Sequence, residues 1–138
     1  MEEDFRDFLS AAGQRLAAAE TLLKTGYNLD ARYLAGYTIE CSLKALILHA
    51  TPTRDPQSTL KDIKTHNFED LTQMLVDRGR QISPALAKYF RRSPPWSPNL
   101  RYQSGRINTG QARAFLQTAR EVYDWAKNVC EKSKEQLP

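Results

Sequence analysis

The sequence predicts an all-α fold, an up-and-down bundle of about five helices, on three observations. Apolar residues recur at three- and four-residue steps along several stretches. Polar capping residues, glycines and prolines punctuate the chain between them. No strand-like alternation, internal repeat or low-complexity tract interrupts the pattern. At 138 residues the chain has the size of one domain, so 1–138 is read as a single unit. With 41% hydrophobic and 26% charged residues, it has the means to bury a core, which excludes wholesale disorder.

The first helix rests on Phe5, Leu9, Ala12, Leu16, Ala19 and Leu23, one stripe of about six turns, with Gly26 as its stop. Asn28 and Asp30 offer capping oxygens to the second helix, from about Leu29 to Ala50. There Ala31, Leu34, Thr38, Cys41, Ala45 and Leu48 trace one face and Tyr33, Tyr37, Glu40, Lys44 and Ile47 another. A helix apolar on several sides is expected to be central in its bundle and to sit in a subunit contact. The proline-containing stretch from Thr51 to Ser58 ends it. Asn67 caps a third helix carrying Phe68, Leu71, Met74 and Leu75 inward, and Gly79 ends that one. Ser83 followed by Pro84 opens a short fourth helix through Leu86, Tyr89 and Phe90. Ser93 to Pro98 breaks regular structure and begins a loop reaching Gly110. The last helix starts near Thr109, with Ala112, Phe115, Leu116, Ala119, Val122, Tyr123, Ala126, Val129 and Cys130 in clear helical period.

The start of the chain, Met1-Glu2-Glu3-Asp4, lacks a basic region followed by an apolar one, and no apolar stretch approaches the roughly 20 residues that span a bilayer. A cytoplasmic location without membrane attachment is expected, with Cys41 and Cys130 reduced. Charge is unevenly spread. From Arg78 to Arg120 there is no acid, while nine of the twenty Lys and Arg fall there: Arg78, Arg80, Lys88, Arg91, Arg92, Arg101, Arg106, Arg113 and Arg120. Sixteen acids face the other eleven cations, so the field is directional and an anionic partner is the natural inference.

Several chemistries lack their signatures. None of the six glycines stands in a phosphate-loop arrangement, there is no GxSxG elbow, and His49, His66 and the two cysteines have no metal-ligand spacing. No metal and no cofactor is therefore expected. Arginines interleaved with Tyr89, Phe90, Trp96 and Tyr102 combine phosphate-pairing forks with stacking surfaces, as RNA or nucleotide binding requires. The sharper subset is Arg91, Arg92, Trp96, Arg101, Tyr102 and Arg106. The bland alternative is a solvated face plus core aromatics. His66, just before a helix cap, is read first as shaping the helix start, with proton exchange as the alternative. His49, near a helix C-terminus, is read as structural. Glu40 and Lys44, four apart, form either an exposed helical ion pair or, inside an apolar helix, a buried pair or a subunit contact.

The stretch from Ala31 to Leu46, ARYLAGYTIECSLKAL, resembles the second helix of bacterial HEPN-domain proteins. Thr65-His66-Asn67-Phe68-Glu69-Asp70-Leu71 resembles the His-containing start of their third helix. The tract from Trp96 to Arg101-Tyr102 resembles the one before the last helix, so the similarity spans essentially the whole chain. The resemblance implies a HEPN-like domain of four to five helices that usually dimerises, frequently in toxin-antitoxin, CRISPR or other defence settings. Members often act as metal-independent ribonucleases or bind nucleotides, and some are encoded beside a small nucleotidyltransferase. In nuclease members an Arg and a His four to six residues apart form the active motif. Here Arg32 precedes His49 by seventeen positions and Arg54 precedes His66 by twelve, so neither histidine completes it. The leading expectation is thus a homodimer, non-catalytic or at most cryptically catalytic, that binds RNA, a nucleotide or a nucleotidyltransferase partner. Its rival is a metal-independent endoribonuclease using His66, Arg101 and Tyr102, and the third reading is a protein-interaction module whose partner face is Tyr33, Tyr37, Glu40 and Lys44.

Overall fold

A computed structural model describes residues 4–51, 60–92, 96, 98 and 107–135, with Arg92 and 133–135 described by their backbone alone. The helices are α1 (Phe5–Lys24), α2 (Asn28–Ala50), α3 (Phe68–Asp77), α4 (Pro84–Arg92) and α5 (Thr109–Glu135), and a helical turn at 60–62 precedes α3. No strand occurs among the described residues. The expected all-α bundle is what the chain forms.

Helices α1, α3, α4 and α5 each begin where a side chain satisfies the first amide groups. Asp4 accepts from Arg6 N and Asp7 N while Asp7 accepts in return from Asp4 N at 3.0 Å, a closed capping box. Asn67 Oδ1 accepts from Glu69 N and Asp70 N at 2.9 and 3.2 Å, Ser83 Oγ from Leu86 N, and Asn108 Oδ1 from Gly110 N and Gln111 N. Gly26 and Gly79, at φ +89° and +77°, take the left-handed turns that end α1 and α3. The start of α2 differs from the sequence expectation. Asn28 is inside the helix, Tyr27 precedes it without a side-chain cap, and the Asn28 amide instead donates to Ile107 O and Thr109 Oγ1. It ties the first turn of α2 to the entry of α5.

Helix α2 is the centre of the bundle and packs against α1, α3 and α5. From Thr38 to Ile47 every residue except Cys41 is buried, which accounts for apolar groups on all its sides. Leu16, Ile39, Leu43, Leu46, Leu71, Phe115 and Val122 are among the side chains of one continuous core drawn from α1, α2, α3 and α5. Thr38 Oγ1 donates to Ala12 O, and Arg120 of α5 pairs with Glu20 of α1.

Trp96, only 4% exposed, is the second organising residue. Its ring stacks parallel to Phe68 of α3 at 5.4 Å, meets Tyr37 of α2 edge-on at 4.9 Å, and lies 6.3 Å from Tyr33. Its backbone N–H donates to Tyr89 Oη of α4 at 2.8 Å. Beneath it is Gly36, where a Cβ would come within 1.9 Å of Trp96 Cε2. A mid-helix glycine normally costs ~0.5–1 kcal/mol against alanine, so the sign of the Gly36→Ala effect is diagnostic. Because the ring fills the space, Gly36→Ala is expected to destabilise by about 1–3 kcal/mol in urea unfolding. A stabilised variant would show that no indole occupies that position.

Candidate functional site

One stripe of α2, read every fourth residue, carries Arg32, Gly36, Glu40 and Lys44. Trp96 lies over Gly36 and divides this stripe into two polar ends.

At the C-terminal end, Glu40 is 4% exposed and Lys44 7% exposed. Glu40 Oε2 accepts from Lys44 Nζ at 3.1 Å, and Glu40 Oε1 lies 2.7 Å from His66 Nδ1. The carboxylate accepts, so Nδ1 carries the proton of this bond and, in the neutral ring, Nε2 is left with the lone pair. The His66 side chain is 53% exposed, which puts that nitrogen within reach of a ligand. A buried carboxylate that fixes the tautomer of a half-exposed imidazole is an arrangement able to take up and release a proton. Lys44 balances the charge that Glu40 would otherwise carry uncompensated into the core.

The N-terminal end of the stripe is Arg32. Its guanidinium sits 5.4 Å from the centroid of the Phe115 ring, and its charge is close enough to Tyr89 to oppose the rise in that phenol's pKa caused by burial. No described residue accepts a hydrogen bond from Arg32, and Nε is sealed from solvent without a partner. A cation–π contact contributes ~0.5–1 kcal/mol, while an unsatisfied buried donor costs about 1–3 kcal/mol. Packing stability alone does not explain an arginine here.

The structure redistributes the residues singled out from sequence. Trp96 is corrected: held among Tyr33, Tyr37 and Phe68, it has no open face on which a base could stack. Glu40 and Lys44 are buried and bonded within the chain, so they do not form an exposed partner face. Tyr33 and Tyr37 are partly buried, with hydroxyls 3.2 Å apart and rings packed by Trp96. Of the six cations of the acid-free stretch whose side chains are described, three are engaged within the bundle. Arg78 closes α3 through Met74 O and bonds Thr51 Oγ1 of α2, and Arg120 is spent on Glu20 and Asp124. Arg80 points to the His49 and Cys130 end, where its Nη2 is 3.5 Å from His49 Nδ1. Burial, aided by Arg80, holds His49 below the usual imidazole pKa, so it is a neutral acceptor set edge-on to Phe5 instead of a cation on the carbonyls ending α2. Burial likewise pushes the Cys130 thiol up to about 11, leaving it inert near neutral pH. Lys88, Arg91 and Arg113 are exposed and make no ion pair among the described residues. The Arg92 side chain, Arg101, Tyr102 and Arg106 lie outside the described residues.

Two partnerships escaped the sequence reading, Glu40 with His66 and Arg32 with Phe115. Glu40 and His66 are 26 positions apart, and nothing local links them. The four-residue spacing of Arg32, Gly36, Glu40 and Lys44 was the available signal for the stripe, and a glycine inside an otherwise apolar helix marked where another group approaches.

A helical bundle built around a central helix, with apolar faces in the core and a polar stripe divided by Trp96, defines the class. The chain belongs to the HEPN domain family, whose model matches residues 5–129. Comparison with curated proteins and with solved structures yields no match. No helix is long and apolar enough to cross a membrane, and among the described residues no three His, Cys, Asp or Glu side chains are grouped to hold a metal ion.

Removing one member of a buried ion pair strands the other, at a cost of about 3–5 kcal/mol. Glu40→Ala is therefore expected to lose roughly 3 kcal/mol in denaturant unfolding, whereas Glu40→Leu combined with Lys44→Leu should recover most of the loss. A single variant within ~0.5 kcal/mol of the parent would place Lys44 in solvent.

Proposed function

We propose that this HEPN domain binds RNA or a nucleotide as a homodimer, and that its partner in a toxin–antitoxin or defence system is a nucleotidyltransferase. The observation that supports the reading is the set of exposed cations, Lys88, Arg91 and Arg113, that no described carboxylate neutralises. They belong to the acid-free stretch that also carries Arg92, Arg101 and Arg106. Arg91, Arg92, Arg101 and Arg106 are assigned to phosphate pairing and Tyr102 to base stacking. Trp96 is assigned to the anchoring of the segment instead.

A second reading, metal-independent endoribonuclease, is favoured by one specific feature, the hydrogen bond from His66 to buried Glu40. In that reaction His66 Nε2 takes the proton of a ribose 2′-hydroxyl, whose oxygen attacks the adjacent phosphorus. The bond to the 5′-oxygen breaks, that oxygen collects a proton, and a 2′,3′-cyclic phosphate remains. Arg101, helped by Tyr102, would stabilise the extra negative charge of the phosphorane.

The test is titration of the protein, its dimer mass checked by light scattering, with labelled single-stranded RNA and nucleoside triphosphates at two salt concentrations. Binding should weaken as salt rises, and each arginine removed among Arg91, Arg101 and Arg106 should flatten the RNA salt slope by about 0.7. Absence of binding at low salt would overturn the binding reading. In the same RNA samples, EDTA-resistant cleavage lost in His66→Ala and in Arg101→Ala would establish the second reading, and RNA intact after long incubation would remove it.

A further inference from the structure

We infer that Arg32 forms a phosphate-binding subsite at the N-terminal end of α2, with the guanidinium plane backed by Phe115 and its terminal nitrogens directed at the ligand. The inference deepens the proposed phosphate-binding function and rests on that reading, but Arg32 itself lies outside the acid-free stretch on which that function was read. Three independent observations converge on it.

The first is chemical. A guanidinium carries five N–H donors in a planar fork, yet within the described structure Arg32 uses none of them. Of its three nitrogens only Nε is sealed from solvent, so Nη1 and Nη2 stay accessible. Side chains that exist to stabilise a fold pair such donors with a carboxylate or a carbonyl, as Arg120 and Arg78 do here. Among the described residues Arg32 makes no ion pair.

The second is geometric. The Phe115 ring, 5.4 Å from the guanidinium carbon, limits where the fork can go. An arginine held in this way has already lost part of the freedom that binding would otherwise remove, which favours bidentate recognition of a phosphate oxygen pair.

The third is position. One turn before Arg32, Asn28 holds Ile107 and Thr109. One turn after it, Gly36 is covered by Trp96, whose N–H is held by Tyr89 Oη, the phenol that senses the Arg32 charge. Both described ends of the basic segment, Trp96 and Ile107, are thus fastened within a helical turn of Arg32. On the other side of Trp96, eight residues along α2 and so about 12 Å away, lies the Glu40–His66 pair. A phosphate on Arg32 would share one helix stripe with that imidazole.

The experiment compares the full chain with Arg32→Met, which keeps an unbranched side chain against Phe115, and Arg32→Lys, which keeps the charge and loses the fork. Thermal unfolding is followed with and without millimolar inorganic pyrophosphate, and affinity for single-stranded RNA and for ATP is measured at low salt. Pyrophosphate should raise the melting temperature of the parent. Arg32→Met should lose most of that rise and bind RNA or ATP about tenfold more weakly, with Arg32→Lys between the two. A loss confined to RNA assigns a phosphodiester to the subsite, and a loss confined to ATP and pyrophosphate assigns a free nucleotide. If the parent binds RNA or ATP and both variants bind equally well, the subsite is wrong while the proposed function stands. If the parent responds to none of the three ligands, both fall. Should Arg32→Met not fold, an undiminished affinity in Arg32→Lys alone would overturn the fork.

Discussion

The seating of Trp96 on Gly36 is the contact on which the arrangement of the site depends. A single residue touches α2 and α3 through its indole, against Tyr33, Tyr37 and Phe68, and α4 through its backbone N–H, which donates to the Tyr89 hydroxyl. Large aromatic side chains dominate the energetics of small cores, and here one of them arrives from outside the helices. It fastens the beginning of the basic segment to the centre of the bundle. Without the missing Cβ at position 36 the ring has no room, so a local departure from helix propensity serves a tertiary contact.

Around that contact α2 does two kinds of work. Its apolar faces supply the core shared with α1 and α5, and its polar stripe carries Arg32, Glu40 and Lys44. At one end of the stripe a buried carboxylate is doubly satisfied and orients a half-exposed imidazole. At the other a guanidinium lies 5.4 Å from the Phe115 centroid and has no partner among the described residues. The same helix therefore carries a group whose charge is fully compensated inside the chain and a group whose charge is not. Of the two, only the second lacks a compensating partner among the described residues, which is why it is proposed as a phosphate-binding subsite.

Local signals carried the fold. Caps at Asn67 and Ser83, stops at Gly26 and Gly79, and the three- and four-residue apolar rhythm of α1 and α5 all act within one or two turns, and all are legible in the residues. Asn28 was misread because a residue with capping chemistry was claimed by a partner 79 positions away. Trp96 was misread for a related reason. An aromatic in a proline-rich tract looks displayed, but burial in a cluster from three helices is decided by tertiary packing. The HEPN resemblance pointed to the right family, and the family's Arg–His spacing was missing from the sequence. The pairs seen in space, Glu40 with His66 and Arg32 with Phe115, join residues far apart in the chain, and no local pattern records such pairs.

The placement of Trp96 is the claim to test most directly, since the two polar ends of α2 are defined by what lies between them. In a Trp125→Phe background Trp96 is the sole indole, and its emission and acrylamide quenching report its surroundings. The account predicts blue-shifted emission with quenching far below that of the unfolded chain. Emission and quenching typical of a solvated indole would contradict it.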